Sequence, residues 1–300
     1  MNSKNLSYLF AGLTILFWGT AASAFKLTLE HLTNVQLLAW ASLSSTAILL
    51  LIILLTNKGK ELRKLTWKQS LPSLYLGLIN PFAYYLILFK AYELLPAQVA
   101  QPLNFIWPLV LVLLSVPLLG EKITAKGIVA LLVSFIGVIL ISSEGNITNI
   151  NIESPLGVFL ALFSAVIWAL YWILNLRNTG VDPTIRLFIN FAFATVFAFA
   201  LGVQLDGFWK INLPGLGGAF YVGCFEMGIT FFLWLKALAL AESKAKLGNI
   251  IYLVPFLSLI LIHFFVREDI YWTTIAGLVV IVSSILYQQI SGSNKKIITP

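Results

Sequence analysis

Ten apolar runs, each about as long as a bilayer is thick, follow one another along the chain. Crossing the hydrocarbon core takes about 20 apolar residues in an α-helix. Of the 300 residues, 59% are hydrophobic and only 10% are charged, whereas a soluble domain carries about 25% charged residues. The pattern predicts an all-α integral membrane protein with ten transmembrane helices. The predicted helices cover residues 7–27, 34–55, 71–92, 97–119, 125–143, 155–176, 184–205, 214–238, 246–266 and 271–290.

The basic residues are distributed unevenly between the two sides that these helices define. Of the 19 lysines and arginines, 15 lie on the side of the N-terminus, and Lys26, Lys90, Lys210 and Arg267 lie on the other. Because cytoplasmic loops carry the excess of basic residues, we expect a multi-pass protein of the cell inner (cytoplasmic) membrane with both termini in the cytoplasm. The net charge of +7 follows from this topology, and the absence of a basic stripe argues against nucleic acid as a partner.

The second half of the chain repeats the first. Residues 10–18 align with 160–168 at an offset of 150, and later motifs align at nearly the same offset. We therefore divide the chain into two five-helix repeats, residues 1–146 and 147–300. Because five is odd, the second repeat is inverted in the membrane. Inverted repeats recur in secondary transporters, whose solute site lies near the midplane between the repeats.

Closing motifs at the ends of the two halves carry a family resemblance. Leu119-Gly120-Glu121-Lys122-Ile123-Thr124 closes the first half, and the stretch from Pro255 to Glu268 closes the second. Together with Trp18-Gly19 and its counterpart Trp168, these motifs occur in the same order in both halves and span nearly the whole chain. This arrangement resembles the EamA-type transporters of the drug/metabolite transporter superfamily.

A stretch of the fourth predicted helix is similar to one branch of that family. Leu103-Asn104-Phe105-Ile106-Trp107-Pro108 looks like a motif of the bacterial aromatic amino-acid exporters, whereas Glu226-Met227-Gly228 departs from their pattern. The resemblance implies export of amino acids or similar metabolites by alternating access through a central cavity.

Glu226 lies about 12 residues into the eighth predicted helix, near the bilayer midplane. A charge at that depth is costly, so such a group normally faces a cavity or a partner. We expect it to couple transport to protons or to bind an amine. The alternative is a structural hydrogen bond to a neighbouring helix. Its counterpart in the first repeat is Asn80.

Aromatic and amide side chains concentrate on helices one, three, four, six, eight and nine. Aromatic walls bind flat or cationic solutes by stacking and cation–π contacts, although aromatic residues also form belts at the headgroups. Together with Glu226, the residues predicted to bind the solute are Trp18, Asn80, Tyr84, Asn104, Trp107, Trp168, Tyr171, Asn175, Asn249 and Tyr252.

Pro108 and Pro255 occupy matching positions in helices four and nine. Proline removes a backbone donor, and the freed carbonyls are tolerated where they line a cavity. We expect both prolines to interrupt their helices beside the solute site, or else only to shape packing. Glu121 and Glu268 precede helices five and ten, where the helix dipole favours a carboxylate, so we expect them to cap those helices.

Other classes of function find little support. One cysteine and two distant histidines predict neither a disulfide nor a metal site, no cofactor is expected, and no nucleotide-binding loop occurs. An intramembrane enzyme would need a catalytic constellation, and a structural subunit would not need an inverted duplication. We predict a non-enzymatic carrier, monomeric or weakly homo-oligomeric, in a lipid bilayer. Its small-molecule solute is an aromatic or hydrophobic amino acid, with drug-like cations, sugars and nucleotide precursors as alternatives.

Overall fold

The fold is helical from end to end of the described chain. The computed structural model describes residues 3–120, 125–148, 152, 154–177, 180–205, 207–242 and 244–292, with the backbone alone at 126, 176–177, 244–246 and 288–292. Glu121 and Lys122 of the first closing motif lie outside the described residues, as do the basic residues Lys295 and Lys296.

Ten helices, named α1 to α10, follow the predicted runs. Within the described residues, eight are long and apolar enough to cross a membrane, and α5 and α10 contribute the shorter apolar stretches Gly127–Ser142 and Trp272–Tyr287. The prediction of an all-α membrane fold is confirmed. The helices are α1 Ser3–Leu29, α2 Asn34–Leu55, α3 Trp67–Leu94, α4 Ala97–Leu119, α5 Ala125–Ser142, α6 Pro155–Arg177, α7 Pro183–Gly202, α8 Leu213–Leu240, α9 244–266 and α10 Trp272–Gly292.

Large apolar side chains cover the outside of the helix bundle. Leu55, Phe135 and Phe264, for example, are each more than 60% exposed. On a soluble protein such a surface would drive aggregation, whereas lipid tails solvate it. The outer surface therefore agrees with a multi-pass membrane protein.

The two repeats interlock rather than lie side by side. Helix α1 packs against α8 and α9, and helix α6 packs against α3 and α4. The first helix of each repeat thus fits between the third and fourth helices of the other. Helix α2 pairs with α7, and α5 pairs with α10. The centre of the bundle is therefore built from both repeats.

Two glycines in equivalent positions let helix backbones of different repeats approach closely. A Cβ atom added at Gly77 of α3 or at Gly223 of α8 would come within 2.5 Å of a backbone carbonyl oxygen, of Asn190 on α7 or of Ala41 on α2 respectively. Small residues at such crossings let helix backbones pack tightly in a membrane. The same contact thus fixes the third helix of each repeat against the second helix of the other.

The helices around the centre are irregular at mid-height. Helix α3 contains an irregular segment, Leu78–Ala83, and α8 contains a wider π-type turn, Val222–Ile229. Helix α4 breaks at Phe105 and Ile106, just before Pro108, and α9 tightens into a 3₁₀ turn just before Pro255. Because a proline cannot donate a backbone hydrogen bond, helical bonding is interrupted there. Irregular backbone inside a membrane is tolerated where protein or a cavity surrounds it.

Candidate functional site: an aromatic cavity between the repeats

A cavity lies between the two repeats, at the height of the irregular segments. It encloses about 660 Å³ of empty space, including its open mouth. Its wall is mostly aromatic and includes one carboxylate. The lining residues are Trp18, Ala21, Phe25, Tyr84, Leu88, Gln101, Asn104, Phe105, Trp107, Trp168, Trp172, Glu226, Trp234, Ile251 and Val254.

The aromatic wall is a connected set of rings from both repeats. Trp18 on α1 lies 5.9 Å from Trp234 and 5.9 Å from Phe231, measured between ring centroids. Its counterpart Trp168 on α6 lies 5.6 Å from the same Phe231 and 4.6 Å from Tyr84. Most of these rings meet at an angle rather than face to face, as aromatic pairs prefer. The contacts fix the ring orientations around the cavity.

Glu226 enters the cavity wall from the π-type turn of α8 and is only 6% exposed. The hydroxyl of Tyr85 on α3 donates to its carboxylate, 2.8 Å from Oε1 and 2.9 Å from Oε2. Within the described residues, no ion pair includes Glu226. Since an ionised carboxylate has room for about four hydrogen bonds, Glu226 can accept further donors from a solute.

Two amide side chains in the lining belong to fixed hydrogen-bond chains. Asn104 donates to Ser164 at 2.8 Å and accepts from the Tyr84 hydroxyl at 3.3 Å. Gln101 accepts from the Tyr92 hydroxyl at 2.7 Å and donates to Ser258 at 3.3 Å. These bonds orient both amides and tie α4 to the neighbouring helices.

One end of the helix bundle is held together by hydrogen bonds between the repeats. The Glu268 carboxylate, in the connection from α9 to α10, accepts the backbone N–H groups of Ala97 and Gln98 at 2.8 and 3.0 Å. The Gln98 side chain donates to the Asp269 carbonyl at 2.9 Å and accepts from the Tyr271 N–H at 2.7 Å. The expectation that Glu268 caps α10 is wrong. It caps α4 of the other repeat, because the interlocked fold brings that helix start closer.

Lys26 strengthens the same end. Its ammonium group donates to the backbone carbonyls of Tyr92 and Leu95 at 2.9 and 2.8 Å. These carbonyls lie at the C-terminus of α3, where a cation also complements the helix dipole. Lys26 therefore joins α1 to α3 and is directed away from the cavity.

At the opposite end, Lys58 in the basic connection pairs with Asp182, which caps α7. Burial by itself would raise the pKa of the Asp182 carboxyl. The hydrogen bond and charge of Lys58, together with the N–H groups of Ile185 and Thr184, outweigh burial and hold this pKa below its usual value. The pair connects the α2–α3 region of the first repeat to α7 of the second.

The model of one protein family matches the chain twice. The EamA-like transporter family matches residues 5–143 and again residues 155–287, so each match covers one five-helix half. The chain belongs to the EamA-like transporter family.

Two relatives of this EamA-like transporter carry names that describe transport. An uncharacterized transporter, YvbV, from Bacillus subtilis is 26% identical over 94% of this chain and 91% of its own length. The aromatic amino acid exporter YddG from Ancylobacter novellus is 28% identical over 65% of this chain and 68% of its own length. A solved crystal structure with 20% identity superposes with a TM-score of 0.68, covering 98% of this chain and 100% of the other. At that identity the superposition supports the fold alone.

The structure of this EamA-like transporter brings six of the eleven predicted solute-binding residues to one cavity. They come from five different helices and both repeats. These six residues are Trp18, Tyr84, Asn104, Trp107, Trp168 and Glu226.

Four other predicted residues are buried behind the lining. Asn80 faces the hydroxyl of Tyr171, which also accepts a hydrogen bond from Asn190 at 3.2 Å. Asn175 lines a smaller cavity beside the main one. Tyr252 packs against Phe105, with 6.1 Å between ring centroids. These residues support the wall rather than form it.

Asn249 lies apart from the other predicted residues. It is exposed near the start of α9, whereas the cavity contacts α9 only from Ile251 onward. Asn249 precedes the 3₁₀ turn Ile251–Leu253 and belongs to the part of α9 that does not reach the cavity.

Five polar or aromatic lining residues lie outside the predicted solute-binding set: Phe25, Gln101, Phe105, Trp172 and Trp234. Trp234 follows Glu226 by eight positions, although two turns of a regular α-helix take about seven residues. The π-type turn of α8 accommodates the additional residue and brings both side chains to the same cavity. The glycines at 223 and 228 are a local signal for such an irregular turn.

Proposed function

We propose that this transporter is a secondary carrier that exports small organic solutes with an amino group and an apolar or aromatic body. Aromatic and hydrophobic amino acids are the first candidates. The observation that carries the proposal is the Glu226 carboxylate in the aromatic wall between the repeats. A carboxylate binds an ammonium group through charge-assisted hydrogen bonds, and the rings favour flat, apolar or cationic bodies. The name of the relative from Ancylobacter novellus supports the amino-acid candidates.

Organic cations are the second candidate. Among the described lining residues, Glu226 is the charged one, and none is Lys, Arg or His. A wall of this composition attracts positive charge. Multidrug or other cation transport is therefore kept beside amino-acid export.

The interlocking of the repeats supports alternating access. Because α1 and α6 each fit between two helices of the other repeat, a tilt of one repeat would separate the helices at one end of the cavity and bring them together at the other. In this mechanism the hydrogen bonds of Glu268, Gln98 and Lys26 break when the cavity opens at the end of the bundle where these residues lie. The irregular segments of α3, α4, α8 and α9 are the places where such helices bend.

Glu226 is the group that we propose couples this movement to protons. The Tyr85 hydroxyl donates to its carboxylate, and Tyr84, also on α3, lines the same wall. Tyrosine hydroxyls hold their protons at neutral pH, so the carboxylate is the group here that can exchange one. An amine and a proton would then compete for Glu226, which produces exchange of solute for protons.

We place the protein in the cell inner membrane with both termini in the cytoplasm, because 15 of 19 basic residues lie on the side of the N-terminus. A reporter that is fluorescent only in the cytoplasm, fused to either end, should be active in both fusions. Loss of fluorescence at both ends would reverse the orientation.

Counterflow in proteoliposomes tests the transport proposal. The purified chain should exchange labelled tryptophan, phenylalanine, leucine or the corresponding amines, at a rate that differs between acidic and alkaline buffer. Glu226→Gln should abolish this pH dependence, whereas Glu61→Gln, an exposed acid in the α2–α3 connection, should keep it. An unchanged rate and pH profile in Glu226→Gln would remove the proton role. Absence of exchange for every amino acid and amine would refute the proposed solute class.

A further inference from the structure

The charges around the cavity are unbalanced. Glu226 contributes a carboxylate to the wall, and the described lining contains no basic side chain to accompany it. Lys26 is adjacent in sequence to the lining residue Phe25, but its ammonium group is bound by the carbonyls of Tyr92 and Leu95. The site thus offers a partner to a cation and no charged partner to an anion.

Each amide side chain of the lining already donates to a protein acceptor. The Asn104 amide donates to Ser164, which in turn donates to the Ala161 carbonyl at 2.6 Å. The Gln101 amide donates to Ser258, which donates to the Gly19 carbonyl at 2.9 Å. A solute carboxylate would be left with the second amide hydrogens or the indole N–H groups, all of which are uncharged. An ammonium group meets the free acceptor capacity of Glu226 without breaking either chain.

The rings around Glu226 add a second attraction for positive charge. Three rings line the cavity with Glu226: Trp18 and Tyr84 from the first repeat and Trp168 from the second. The ring centroids of Tyr84 and Trp168 are 4.6 Å apart. The face of an aromatic ring carries partial negative charge and attracts cations, most strongly where water is excluded. A carboxylate beside several aromatic faces is an arrangement that binds amines.

We propose that the cavity selects aromatic organic amines, whose only charge is positive, over the zwitterionic amino acids that carry the same side chain. This inference rests on the proposed function and narrows its solute class. The amine pairs with Glu226 and the ring lies among the tryptophans. The amino acid brings the same two groups plus a carboxylate that must be buried without a cationic partner. An uncompensated buried charge is costly, so the additional group opposes binding.

Matched pairs of solutes isolate the effect of that one group. In counterflow with the full-length chain we would compare tryptamine with tryptophan, tyramine with tyrosine and phenethylamine with phenylalanine. Each amine should show a half-saturating concentration at least about tenfold lower than its amino acid. Tryptophan methyl ester, in which the carboxylate is neutralised, should behave like tryptamine. Indole-3-propionate, which has the carboxylate but no amine, should not exchange.

Variants of Glu226 connect the preference to this site. Glu226→Gln, verified as folded by size-exclusion chromatography, should remove the difference between tryptamine and tryptophan, whereas Glu226→Asp should retain it. Glu61→Gln in the exposed connection serves as the control that keeps the preference. A preference that persists in Glu226→Gln would overturn the assignment to this carboxylate.

The outcomes separate this inference from the proposed function. If amino acids exchange with half-saturating concentrations equal to or lower than those of the amines, the inference is wrong and the proposed function stands. If neither member of any pair exchanges, the proposed function itself fails, and the inference fails with it.

Discussion

The hydroxyl of Tyr85 on α3 lies within 2.9 Å of both carboxylate oxygens of Glu226 on α8. The two residues belong to different repeats, and both are buried. This bond therefore joins the halves of the transporter beside the cavity, so a solute or proton bound at Glu226 would act directly on the contact between them.

Removing that hydroxyl should weaken the fold and alter the coupling. Tyr85→Phe leaves a buried carboxylate without its donor, at a cost of about 1–3 kcal/mol. We expect a lower unfolding temperature in detergent and a counterflow pH profile that differs from the parent protein. Tyr75→Phe, which removes an exposed hydroxyl on the same helix, is the control and should change neither. An unaltered pH profile in Tyr85→Phe would argue that the bond is structural only.

The two equivalent glycines should not tolerate a methyl group. Gly77→Ala and Gly223→Ala would each force a side-chain carbon against a backbone carbonyl, so helices must move apart and stability falls. At Gly12 and Gly217, nothing lies within 4 Å of an added Cβ, and alanine favours a helix by about 1 kcal/mol. The unfolding temperature should therefore fall for Gly77→Ala and Gly223→Ala, and it should stay level or rise for Gly12→Ala and Gly217→Ala. Equal behaviour of all four would contradict the proposed close packing.

Glu268→Gln should loosen the end of the helix bundle that Glu268 joins to α4. The glutamine amide is neutral and has one acceptor oxygen, so it can keep at most one of the two bonds that the carboxylate accepts, and that bond loses its charge assistance. The test uses a background in which the native cysteine is removed by Cys224→Ala and a reporter cysteine is introduced in the lining by Ala21→Cys. An impermeant maleimide added at that end should label this reporter several-fold faster in the Glu268→Gln variant than in the same background with Glu268 intact. Asp269→Asn makes the same chemical change on the exposed neighbouring side chain and should leave the labelling rate unchanged. Equal rates in both variants would show that Glu268 does not control access.

The Lys58–Asp182 pair should make stability depend on pH in the acidic range. Because the pKa of Asp182 is lowered on folding, its stabilisation is complete above the unfolded value of about 4 and disappears as pH falls through the lower folded value. Asp182→Asn should therefore lower stability at neutral pH, by about 1 kcal/mol for a partly exposed pair. The difference from the parent should vanish in strong acid. A difference that stays constant with pH would place the effect in helix capping alone.

Much of the fold follows from the sequence because lipid leaves few choices. A segment in hydrocarbon must satisfy its backbone hydrogen bonds internally, so apolar runs of about 20 residues become helices. The duplication of residues 10–18 at 160–168 then implied two inverted halves. For the same reason Trp18 and Trp168, at equivalent positions on the first helix of each half, could be predicted to reach the central cavity.

The misplaced residues depend on features that local spacing does not show. Trp234 reaches the cavity because the π-type turn of α8 accommodates an additional residue between it and Glu226, and Asn249 lies outside because α9 contacts the cavity only from Ile251 onward. Glu268 was expected to act on its own helix and instead binds the start of α4. Local spacing cannot reveal a partner some 170 residues away.

The sequence by itself thus determined that this protein spans a membrane with ten helices in two inverted sets, and it indicated an acidic residue at mid-depth. The tertiary structure alone decided that Glu226 meets Tyr85, that the aromatic rings of both halves enclose it, and that the described lining lacks a basic side chain. Hydropathy is a property of each segment in its solvent, whereas a site depends on how the segments cross. Those crossings are set by glycine contacts and irregular turns whose partners lie in the other repeat.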